Sequence, residues 1–140
     1  MKQLLAALLS LAIFSFAHAA ADPDRYLLNV ATLQKIKAVN VELSKANLKG
    51  LDDDDGNDDK SVEEMARELD SHPKVKASLA RHGLTSMEYA MSMHAILAAA
   101  TYLMFESSMD KKKAASLFAS YPKERQANIE LLRKNAQHLK

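Results

Sequence analysis

Between Glu88 and Glu106 the chain carries no Asp, Glu, Lys or Arg, and apolar residues fill almost every angular position a helix would have there. At 100° per residue, only Glu88, Ser92, Ala95, Ala99, Tyr102 and Glu106 share a narrow stripe of polar or small side chains. A helix that is apolar nearly all round belongs either in the middle of a bundle or across a membrane. The uncharged stretch, residues 89–105, stands at the lower spanning limit of about 17 residues and contains Ser92, His94 and Thr101, so a membrane span is disfavoured. The expected fold is therefore an all-α, irregular bundle of about five to six helices around a central apolar helix at residues 86–108.

Proline, glycine and capping residues divide the rest of the chain. Asp22-Pro23-Asp24 supplies a cap, a first-turn proline and an acid suited to the helix dipole. Tyr26, Val30, Leu33, Ile36, Leu43 and Ala46 follow at helical spacing, which predicts one helix of about 25 residues ending at Gly50. Ser61-Val62-Glu63-Glu64 has capping-box spacing, with Val62, Met65, Ala66 and Leu69 as the apolar stripe behind it. Pro73 starts another short helix, with Val75 and Leu79 inward, and Gly83 can close it in the left-handed conformation while Leu84 folds back on Leu79. Thr85 to Glu88 forms a second capping box. Asp110 should cap a helix burying Ala114, Leu117 and Phe118, and Pro122 should open a last one with Ile129, Leu132, Ala136 and Leu139 inward.

The first 19 residues read as an export signal. Met1 and Lys2 give a positive start, residues 4–16 are uncharged and largely apolar, and Ala17-His18-Ala19 offers small residues at the two positions a signal peptidase reads. As a helix, residues 4–16 rise only about 20 Å against a hydrocarbon core of about 30 Å. Cleavage after Ala19 would leave residues 20–140 as a single helical domain with an acidic loop at residues 51–60. The absence of cysteine removes both a lipid-acceptor residue and any disulfide. A periplasmic or secreted protein, not held at a membrane after cleavage, is the expectation.

Without Lys2 the charges balance, but not locally. Residues 22–70 hold 13 acids and 7 bases, and residues 71–140 hold 5 acids and 11 bases, so attraction between the halves is expected. A balanced total speaks against nucleic acid as a partner.

Chemistry-bearing patterns are few. Three glycines cannot build a phosphate cradle, and there is no nucleophile elbow, zinc-protease motif or covalent haem motif. No cofactor and no enzymatic activity are expected. Asp52, Asp53, Asp54, Asp55, Asp58 and Asp59 crowd around Gly56. Were Gly56 the sixth position of a calcium loop, the first and twelfth ligands would be Leu51 and Val62, which cannot serve. The segment reads better as a docking surface for a basic protein or as a solvated loop. Lys111, Lys112 and Lys113 place three cations where a helix dipole disfavours them, so they are expected to face the aspartates or a partner. Met87, Met91 and His94 fall on one helix face and offer thioether and imidazole ligands for Cu(I), although methionine at such spacing also simply fills cores.

Residues 72–89, with His72-Pro73-Lys74-Val75, Leu79, His82-Gly83-Leu84-Thr85 and Glu88-Tyr89, resemble small exported helical proteins of Gram-negative bacteria with no assigned activity. The resemblance implies an exported all-α domain and assigns no functional residue. The function expected is that of a non-enzymatic exported protein-binding module, such as an inhibitor or immunity protein, working through the acidic loop. The alternative is a periplasmic metal-binding protein, with Cu(I) on the Met/His set or Ca²⁺ on the aspartates.

Overall fold

The computed structural model describes residues 21–46 and 60–136; the stretch expected to be an export signal, the aspartate-rich segment, Gly50 and Leu139 lie outside the described residues. A 3-10 turn at Pro23–Arg25 precedes six helices: α1 Val30–Lys45, α2 Val62–Ser71, α3 Pro73–Arg81, α4 Ser86–Glu106, α5 Lys111–Ser120 and α6 Lys123–Lys134. No strand occurs among the described residues, and the fold is all-α as the periodicity predicts.

The corners follow the capping chemistry closely. At α2, the Ser61 hydroxyl accepts from the Glu64 N–H while the Glu64 carboxylate accepts from the Ser61 N–H, and Thr85 and Glu88 repeat this at α4. These reciprocal bonds satisfy donors that a helix start leaves without partners. Gly83 adopts φ +66°, which lets Gly83 N–H reach the Ala80 carbonyl at 3.0 Å and Leu84 N–H reach the Leu79 carbonyl at 3.0 Å. That pair of bonds closes α3, and Leu79 and Leu84 then share one apolar cluster.

The amino-terminal segment departs from the expected long helix. Only Pro23–Arg25 turn, with Asp22 accepting from Asp24 N–H; the chain then runs extended until Asn29 caps α1 by accepting from Thr32 N–H at 2.8 Å. The cause is long-range. Asn128 on α6 is buried and takes both backbone partners of this segment: its Oδ1 accepts from Leu28 N–H at 2.8 Å, and its Nδ2 donates to the Tyr26 carbonyl at 2.7 Å. Helical hydrogen bonds in residues 26–29 would forfeit that docking and the burial of Leu28. Val30, expected inward, is consequently exposed, whereas Leu33, Ile36 and Val39 carry the buried face of α1.

Two cores lie along α4. Its first half packs with α2 and α3 through Tyr89 and Ala90, against Val62, Leu69, Val75 and Leu79. Its second half packs with α6 and the amino-terminal segment through Ala95, Ala99 and Tyr102, against Leu28, Ile129 and Leu132. The helix is not enclosed all round, contrary to the expectation for a central apolar helix. The stripe of small and polar residues is the buried one, with Ser92 and Ala99 fully covered, while Leu97, Met104 and Phe105 are 63%, 73% and 58% exposed. Size explains it. The bulky side chains of the second core come from α6 and Leu28, and they require alanine-sized residues opposite them to close the gap at native density.

In α5, Ala114 is buried but Leu117 lies outward, contrary to the expectation of an inward stripe. Ala136, likewise expected inward, is exposed. The halves of opposite charge do meet: Asp24 pairs with Arg125 at 3.2 Å, Glu42 with Arg81 and with His82, and Asp70 with Lys76 at 3.2 Å.

Candidate binding groove

Helix α1 is held to both α3 and α4. Val39 and Ile36 enter the first core, Arg81 and His82 hold Glu42, the Lys35 ammonium donates to the Gly83 carbonyl at 3.2 Å, and the Tyr89 phenol of α4 donates to Asn40. A groove of about 640 Å³ lies between α1 and the middle of α4. Leu33, Ile36 and Val41 form the α1 wall, and Met93, Ile96 and Ala100 form the α4 wall. On α4 the exposed Leu97 and Met104 stand four residues beyond Met93 and Ala100, which extends the apolar wall outward along one face.

The polar groups of the groove all come from α1: Lys37, Asn40, Ser44 and Lys45. Among the described residues, no acidic side chain lines it. The Asn40 carbonyl oxygen accepts from the Tyr89 phenol at 2.6 Å, so the amide N–H₂ is what Asn40 has left to offer. Burial raises the Tyr89 phenol above its ordinary pKa, which keeps it a donor in this bond. Ser44 spends its hydroxyl proton on the Asn40 carbonyl one turn earlier, at 2.7 Å. Lys37 and Lys45 have no ion-pair partner among the described residues, whereas Glu42 on the same helix pairs with Arg81 and His82.

The residues singled out from sequence are placed differently. Asp52, Asp53, Asp54, Asp55, Asp58 and Asp59 lie outside the described residues, as does any contact of theirs. Lys111, Lys112 and Lys113 are exposed at the start of α5. Their conflict with the helix dipole is met locally, because the Asp110 carboxylate caps α5 by accepting from Lys112 N–H at 2.9 Å and Lys113 N–H at 3.3 Å. Met87 is exposed and Met91 and His94 are half-buried on one side of α4; Met91 packs against the first core. Among the described residues, no group of three His, Cys, Asp or Glu side chains could hold a metal ion.

Sequence patterning found Leu33 and Ile36 as apolar positions but not the groove they border. Its trace is the stripe Lys37, Val41, Lys45, spaced by four residues on α1, where an exposed valine stands between two cations. Among the described residues, no helix is long and apolar enough to cross a membrane. No protein-family profile, curated protein or solved structure matches the chain.

Proposed function

We propose that this chain is an exported, non-enzymatic binding protein whose contacts are made by the apolar groove between α1 and α4. The observation that carries this reading is the pairing of a groove of about 640 Å³ with apolar walls on two helices and exposed Leu97 and Met104 at its outer edge. Single exposed apolar residues are ordinary, whereas contiguous apolar surface that opens into a concavity is what binding sites are made of. Burying one such side chain is worth about 1.5–3 kcal/mol, so the groove holds unused binding energy. Its lining supports binding in preference to catalysis: among the described residues the walls carry neither a histidine nor a carboxylate, and the lining Ser44 hydroxyl is already engaged with backbone. Export rests on the positive start, the short apolar run and Ala17-His18-Ala19.

A neutral solvatochromic dye, Nile red, tests the site. The native protein should take up one dye per chain saturably, well below its melting temperature, and Val41→Asp, a change at an exposed wall position, should abolish uptake without loss of the helical circular dichroism. Dye uptake that never saturates, or that is indifferent to Val41→Asp, refutes the groove as the binding site. Fractionation of cells expressing the full chain checks export: the protein should be recovered in the periplasm or medium, shortened by about two kilodaltons.

A further inference from the structure

We infer that the occupant of this groove is a single-chain anionic amphiphile, an unbranched alkyl tail carrying a carboxylate or comparable anionic head; this rests on the binding role proposed above. Size comes first. A volume of about 640 Å³ falls within the range of about 300–1,000 Å³ typical of small-ligand pockets. Shape comes second. The α1 wall from Leu33 to Lys45 rises about 18 Å, so the site is a long, open trough suited to an extended tail and not to a compact ring system.

Charge selects the head group. Among the described residues the formally charged lining residues are both cations, Lys37 and Lys45, which stand two helical turns apart, about 12 Å along α1. Asn40 comes between them in the chain, and its free hydrogen-bonding capacity is donor capacity because Tyr89 occupies its side-chain oxygen. A carboxylate beside either lysine gains an ammonium group, and one near Lys37 has the Asn40 amide one turn away. A neutral head would gain the amide alone, and a cationic head would be repelled. The opposite wall accommodates tails of differing length: Met93 is unbranched and adaptable, and Ala100 leaves width where a larger residue would close the trough.

The experiment is competition against bound Nile red, with palmitate, hexadecanol and hexadecyltrimethylammonium each below its aggregation concentration. Palmitate should displace the dye at one per chain and at least ten-fold more tightly than the other two. The double variant Lys37→Glu/Lys45→Glu, both exposed positions, should lose at least ten-fold in palmitate affinity against a smaller loss for hexadecanol, at unchanged helical circular dichroism. Equal affinity for palmitate and hexadecanol, with Nile red still saturable, overturns the anionic ligand and leaves the binding groove standing. Failure of all three amphiphiles and of Nile red removes both readings together. A doubling of mass in sedimentation velocity at the assay concentration, with no palmitate uptake, assigns the groove to a second copy of the chain and likewise overturns the inference.

Discussion

Asn128 and Leu28 are one hundred residues apart in the chain, yet the Asn128 side-chain oxygen accepts the Leu28 backbone N–H at 2.8 Å in a fully covered setting. The same amide donates to the Tyr26 carbonyl at 2.7 Å, so one side chain substitutes for the local hydrogen bonds that residues 26–29 do not make. Nearby, Arg125 stacks over the Tyr121 ring at 3.9 Å and pairs with Asp24, so α6 grips the amino-terminal segment at two points.

Asn128→Ala should be among the most damaging single substitutions in the protein. It leaves a backbone donor and a backbone acceptor without partners in the second core, at a cost of about 2–4 kcal/mol. Urea unfolding checks this: the midpoint should fall at unchanged slope. A loss below about 1 kcal/mol would mean that the amino-terminal segment is held by burial of Leu28 alone.

The burial of the small side of α4 predicts an asymmetry that hydrophobicity alone would assign the other way. Ala99→Leu enlarges an apolar residue but overpacks a closed contact, and should destabilise by about 1–3 kcal/mol. Met104→Ser removes an apolar residue from solvent and should leave the melting temperature within the range of ordinary surface changes, about ±0.5 kcal/mol. Thermal melts of the two variants side by side decide it.

At Gly83 a Cβ would meet only the Lys35 ammonium at 3.5 Å, an ordinary contact, so the penalty of Gly83→Ala is one of backbone conformation. Left-handed φ costs a residue with a Cβ about 1–2 kcal/mol. Gly83→Asn should recover part of that, because asparagine tolerates this region better. Equal stability of the alanine variant and the parent would show that the corner relaxes out of the left-handed conformation.

Acid should weaken the fold through three carboxylates at the α2 and α4 corners. Glu63 is held below its ordinary value by its own N–H and that of Ala21, Glu64 by the Ser61 N–H, and Asp70 by the Ser86 hydroxyl with Lys76 adding to it. Because their folded-state values are depressed, the stability they contribute is complete above the ordinary values of 4.5 and 3.8, and is lost as pH falls through the lower folded ones. Melting temperature should therefore be flat near neutrality and decline below about pH 4.5. Glu64→Gln keeps an acceptor for the Ser61 N–H without the charge, so its deficit against the parent should shrink toward zero in acid. A deficit that persists at the lowest pH would show that geometry, and not ionisation, is what Glu64 contributes.

Much of the architecture is decided within a few residues of chain. Ser61 with Glu64, Thr85 with Glu88, Asp110 ahead of three lysines and Gly83 before Leu84 each satisfy backbone groups locally, and such contacts are readable because both partners sit at fixed short spacing. The all-α fold and the inward positions of α2 and α3 follow from the same short-range rules. Three things were settled only by long-range packing. The amino-terminal segment is extended because Asn128 supplies its hydrogen bonds from the far end of the chain. The buried side of α4 is its small side, because Ile129, Leu132 and Leu28 bring the bulk from elsewhere, and a helix apolar all round has no pattern that says which face must yield. The groove lies where Leu33, Ile36 and Val41 of α1 face Met93, Ile96 and Ala100 of α4, and a space between two helices belongs to neither one's sequence.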